Sequence, residues 1–113
     1  GFVDSPLISL NGGGAGYGLS VFGSGITVRG INFHNFSFSN ITFWGGDNNI
    51  VQGCTFGTNA AGTALQGNST QYDSIYLANG STGNLIGTNG DGVNDALEAN
   101  YIGGGSQAAV GLW

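Results

Sequence analysis

The sequence contains no lysine, no methionine, one proline (Pro6), one cysteine (Cys54) and one arginine (Arg29). Six acidic residues and one His (His34) accompany that arginine, for a formal net charge of −5, so there is no basic patch with which to neutralise phosphates. Nucleic acid is a poor partner for such a surface. A single cysteine closes no internal disulfide and leaves the redox compartment open. No apolar run approaches the roughly 18 residues of a membrane helix, and the N-terminus has neither the basic start nor the apolar stretch of a signal peptide. The absence of an initiator Met and the abrupt end on Gly111-Leu112-Trp113 suggest a processed product or part of something longer.

What is abundant points to β structure. There are 24 glycines and 13 asparagines among 113 residues, and each glycine inside a helix costs about 1 kcal/mol relative to alanine. A helical bundle is therefore excluded. A composition 40% hydrophobic and 12% aromatic is too apolar for a disordered tail or flexible linker, and no Gly-X-Y period of collagen is present.

Two series of short segments repeat. Arg29-Gly30-Ile31-Asn32-Phe33 returns as Gln52-Gly53-Cys54-Thr55-Phe56 and as Glu98-Ala99-Asn100-Tyr101-Ile102, at intervals of 56 − 33 = 23 and 102 − 56 = 46, twice 23. Leu19-Ser20-Val21, Ile41-Thr42-Phe43, Ile75-Tyr76-Leu77 and Val110-Gly111-Leu112 follow at steps of 22, 34 and 35. Segments 57–70 and 87–96, rich in Gly, Asn, Thr and Ala, have loop character and explain the longer steps. Between the series, apolar residues alternate with period two, as in Ile41 and Phe43. Hairpins do not require like residues to return at one interval, whereas a solenoid does. The expected fold is all-β: a right-handed parallel β-helix (β-solenoid) of about four to five coils of roughly 22–23 residues with loop insertions, spanning residues 1–113 as a single segment. Asn and Gly belong at its corners, because they enter the left-handed region most cheaply. Neither end of the sequence resembles a capping helix, so the terminal coils need neighbouring coils of a longer chain or identical copies stacked end to end.

The segment from Asn49-Ile50-Val51-Gln52-Gly53-Cys54 to Gly67-Asn68, and the later one from Asn84-Leu85-Ile86-Gly87-Thr88 to Tyr101-Ile102, resemble the repeat unit of right-handed parallel β-helix regions in large secreted or cell-surface microbial proteins. Cys54 departs from that pattern by standing where Asn is expected and where Asn100 sits later, which implies an interrupted asparagine ladder at this corner. The resemblance implies an extracellular or cell-surface location.

Chemistry is sparse. Lyases and hydrolases on such a fold need a carboxylate cluster, with calcium or with a basic residue to take a proton. Asp73, Asp91, Asp95 and Glu98 are the acidic concentration, Lys is absent, and Arg29 lies several coils away, so these read first as solvated loop carboxylates. Within the loop, Asn89, Asp91 and Asp95, helped by Glu98, are the candidate calcium ligands, because alternating oxygen side chains separated by glycine resemble calcium loops. No other cofactor is implied. His34 is expected at the surface or a corner, and Cys54 is expected to be a small buried hydrophobe. Phe33, Phe36, Phe38 and Phe43 read as an interior stack, with Trp44, beside Gly45-Gly46, as the exposed platform for stacking on glycans. Four sequons occur, at Asn35, Asn40, Asn68 and Asn79, of which Asn68 and Asn79 fall in loops and are the candidate glycosylation sites. The expected function is a non-enzymatic structural or adhesive module, a filament subunit assembling head to tail. The alternative is a fragment of a carbohydrate-active enzyme or a glycan-binding protein.

Overall fold

The computed structural model describes residues 8–59, 61–64, 73–103 and 110–112. These form eleven short strands and one single-turn helix: β1 (Ile8–Asn11), β2 (Tyr17–Val21), β3 (Thr27–Arg29), β4 (Ile31–His34), β5 (Ser39–Trp44), β6 (Ile50–Gln52), β7 (Thr55–Phe56), β8 (Ile75–Ala78), β9 (Leu85–Ile86), α1 (Asp95–Glu98), β10 (Tyr101–Ile102) and β11 (Val110–Leu112). The protein is all-β with little helix. Its strands lie in three sheets ordered β1-β4-β7-β10, β11-β8-β5-β2 and β3-β6-β9. Among the described residues every pairing is parallel. Successive strands enter the first, second and third sheets in turn, so each sheet receives every third strand.

The register places equivalent side chains in columns. In the first sheet Leu10 lies opposite Phe33, Phe33 opposite Phe56, and Phe56 opposite Ile102. In the second, Leu19, Ile41, Ile75 and Val110 form one column, while Val21, Phe43, Leu77 and Leu112 form another. Val28, Val51 and Ile86 align in the third. Both repeat series in the sequence are therefore realised as strand pairing, with four passes in two sheets and three in the other. Phe33, Ile41, Phe43, Val51, Phe56 and Ile75 are fully buried at the centre. Phe33 and Phe56 stack with ring centroids 5.3 Å apart and planes 9° from parallel.

Turns follow from which residues tolerate left-handed backbone. Among the described residues, the non-glycine residues with positive φ are all asparagines: Asn35, Asn48, Asn79 and Asn94. Gly46 is required for space instead, because a Cβ there would strike the carbonyl of Gly23 in the preceding turn.

Asparagine side chains also bridge successive turns. The N–H of Ile26 donates to Asn49 Oδ1 at 2.8 Å, and that of Asn49 donates to Asn84 Oδ1 at 2.9 Å. At the other corner the expected interruption has a different form. The Cys54 N–H donates to Asn100 Oδ1 at 2.9 Å, and Asn100 Nδ2 donates to the Val51 carbonyl at 2.9 Å. Asn100 therefore caps backbone on the turn where Cys54 stands, and this bridge needs no asparagine at position 54.

Candidate functional site

The acidic loop connects β9 to β10. Asp91, Asp95 and Glu98 each bring a carboxylate oxygen to within 4.8 Å of the others. The single turn of α1 makes this possible by presenting Asp95 and Glu98 on one side, three positions apart. The Thr88 hydroxyl lies 2.6 Å from Asp95 Oδ1 and 3.1 Å from Glu98 Oε2, and Glu98 Oε2 also accepts the Asn89 N–H at 3.2 Å. Oxygen ligands of this kind suit a hard cation such as calcium. Of the residues expected to bind it, Asp91 and Asp95 are brought together and Glu98 joins them as the buried member. Asn89 Oδ1 is turned to the Asp91 N–H at 3.1 Å, closing a local turn. The same bonds hold the loop together through its own amides and hydroxyl.

A second assembly lies on the opposite face of the second sheet from the core. Ile41 and Phe43 point inward, so alternation turns Thr42 and Trp44 outward. Trp44 is half-buried and belongs to a cluster of five rings. Its centroid lies 6.1 Å from Tyr17, 6.3 Å from Phe22 in a near-parallel stack, and 6.1 Å from Tyr76. Phe38 joins through Tyr17 at 4.7 Å and Tyr76 at 6.0 Å. Trp44, expected as an exposed platform, is instead half-buried among these rings, and the expectation for Phe38 is corrected. Phe33, Phe36 and Phe43 are interior, whereas Phe38, just before β5, is half-buried and packs against Tyr17 and Tyr76. Tyr17, Phe22 and Tyr76 were not legible as part of the site. The available signal was parity: Tyr76 stands between inward Ile75 and Leu77.

Two further expectations change. His34 is buried at the end of β4, where the neighbouring strand β1 pairs with it through Asn11. Asp73 is fully buried just before β8 and is not a solvated loop carboxylate. Cys54 is buried as expected, its Sγ 3.3 Å from the Gln52 carbonyl, and removal from water pushes its thiol pKa up. Arg29 is exposed on β3. Asn79 is exposed in a turn after β8, whereas Asn40 is fully buried and closed to a glycan in the folded state. Asn68 lies outside the described residues.

Comparison with known proteins gives no match: no family model, no curated protein and no solved structure is similar to the chain. No helix among the described residues is long and apolar enough to cross a membrane. Functional argument therefore rests on the arrangement of side chains alone.

Proposed function

We propose that this protein is a non-enzymatic structural or adhesive module of an extracellular or cell-surface protein, built as a closed right-handed parallel β-helix whose two ends pack against further turns of the same kind. The cyclic visiting of three sheets supports the closed helix, since a chain returning to each parallel sheet after two others is winding about an axis.

One observation carries the functional reading. Among the described residues, every exposed large hydrophobic except Val93 of the acidic loop lies on the first pass (Ile8, Leu10, Tyr17, Phe22, Ile26) or the last (Tyr101, Val110, Leu112). Ile8 is 64% exposed and Leu112 76%, while Ile31 and Leu77, which face them one turn inward, are covered. Among the described residues the end strands also present unpaired parallel edges. Neighbouring turns supplied by a longer chain, or by identical copies stacked head to tail, satisfy both needs, and the second arrangement does not close and grows into a filament. Calcium, where carried, belongs at Asp91, Asp95 and Glu98 on the side of this stack.

Electron microscopy and light scattering of the native material test the reading. Rods or filaments one module wide are expected, shortened by Ile8→Asp or Leu112→Asp. Compact monodisperse particles at every concentration, or cleavage of polysaccharides by the folded protein, would overturn it.

A further inference from the structure

We propose that the Asn79-Gly80 turn is a site of spontaneous deamidation, where Asn79 converts through a succinimide to aspartate and isoaspartate while the fold holds back the other Asn-Gly pairs of the chain. The site is independent of what covers the ends, because Asn79 follows β8, a strand flanked in its sheet by β5 and β11.

The chemistry needs two atoms of adjacent residues. The backbone nitrogen of Gly80, having lost its proton, attacks the side-chain Cγ of Asn79. A C–N bond closes a five-membered ring, the Cγ–Nδ2 bond breaks, and Nδ2 leaves as ammonia. Water then opens the ring at one of its two carbonyls, giving aspartate or β-linked isoaspartate with no change in oxidation state. Glycine after asparagine favours the attack, because no side chain shields the nitrogen and the backbone turns freely. An amide that donates a hydrogen bond, or an asparagine side chain pinned by one, must first give up that bond.

The sequence offers three such pairs: Asn11-Gly12, Asn79-Gly80 and Asn89-Gly90. All three asparagines are exposed, so exposure does not separate them. Hydrogen bonding does. The Gly12 N–H donates to the His34 carbonyl at 2.9 Å, and Asn11 Oδ1 accepts the Gly13 N–H at 2.9 Å and Asn35 Nδ2 at 3.1 Å. The Gly90 N–H donates to the Thr88 hydroxyl at 3.0 Å, and Asn89 Oδ1 accepts the Asp91 N–H at 3.1 Å. At the middle pair, neither the Gly80 N–H nor the Asn79 side chain has a hydrogen-bond partner among the described residues. A Cβ built on Gly80 meets nothing within 4 Å, so nothing crowds the reacting peptide. The bond that closes this turn, from the Ser81 N–H to the Ala78 carbonyl, is long at 3.4 Å.

The product alters the turn. Isoaspartate adds a methylene to a backbone whose two central residues both hold positive φ, 57° at Asn79 and 73° at Gly80. The turn also meets the preceding pass, where the Gly45 N–H donates to the Ser81 hydroxyl at 3.1 Å. The departing Nδ2 is the atom that would carry a glycan in the sequon Asn79-Gly80-Ser81, so a deamidated site can no longer be glycosylated.

Incubation of the folded protein in mildly alkaline buffer, followed by peptide mapping with mass spectrometry, tests the proposal. Asn79 should lose its amide at least ten times faster than Asn11 or Asn89, and its product should accept a methyl group from an isoaspartyl methyltransferase. In denaturing urea, where the protecting hydrogen bonds are gone, the three rates should converge. Gly80→Ala should slow conversion at Asn79 at least tenfold and leave the other two pairs unchanged. If that variant does not fold, the comparison of folded and urea-unfolded wild-type chain carries the test. Equal rates at the three pairs in the folded protein, conversion led by Asn11 or Asn89, or an Asn79 that converts in urea but not in the folded chain would each overturn the proposal. None of these readings depends on whether the protein forms filaments, so the two proposals fail separately.

Discussion

If equivalent side chains truly lie over one another, neighbouring layers must be energetically coupled and distant layers must not. Phe33 and Phe56 occupy successive passes of the first sheet, fully buried and stacked at 5.3 Å, whereas Ile102 lies one pass beyond Phe56. Phe33→Leu and Phe56→Leu each remove part of a buried ring and should cost about 1–2 kcal/mol. The ring pair itself contributes about 0.5–1.5 kcal/mol beyond burial, so the double variant should depart from additivity by that amount. Phe33 and Ile102 are separated by two interstrand spacings, roughly 9–10 Å. Phe33→Leu combined with Ile102→Val should therefore be additive within about 0.3–0.5 kcal/mol. Urea unfolding reads both cycles. With a slope of about 1–3 kcal/mol/M, each single phenylalanine variant lowers the midpoint by roughly 0.3–2 M. Equal coupling in the two cycles, or none between Phe33 and Phe56, would refute the columnar packing.

Other expectations concern bridges between turns. Asn100→Ala deprives both the Cys54 N–H and the Val51 carbonyl of a partner and should destabilise by about 1–3 kcal/mol in the same urea assay; a neutral result would mean that water replaces the bridge. Gly46→Ala drives a Cβ into the Gly23 carbonyl, so a loss of about 1–3 kcal/mol is expected, with the backbone displaced at that corner. Burial pushes the Cys54 thiol pKa up, so the folded state keeps its proton at a pH where the unfolded chain releases it. The stabilisation is complete below the ordinary thiol range and declines as pH rises above it. Cys54→Ala should flatten that alkaline decline, and the wild-type thiol should react with maleimide only after unfolding.

The sequence reading succeeded where period and backbone geometry leave little choice. A return of like residues at an interval of 23, together with alternation, suffices to align Phe33, Phe56 and Ile102, and the strand register matches that alignment. It failed where a side chain's surroundings come from distant turns. His34 and Asp73 carry polar side chains in segments that look solvated, yet neighbouring passes bury them. The acidic loop was read as a linear run of oxygens. The α1 turn brings Glu98, named there as a helper, beside Asp91 and Asp95, while Asn89 Oδ1 accepts the Asp91 N–H in a local turn.

By itself the sequence determined the parallel columns and the asparagine and glycine corners, because strand alternation and left-handed turns are local properties that repeat wherever the same residues recur. Only the tertiary structure decided which face of the second sheet gathers Tyr17, Phe22, Phe38, Trp44 and Tyr76. It also decided that most of the bare apolar residues among those described lie on the end passes. Both depend on which strands become neighbours and which are left without one, a property of the winding that no single segment contains.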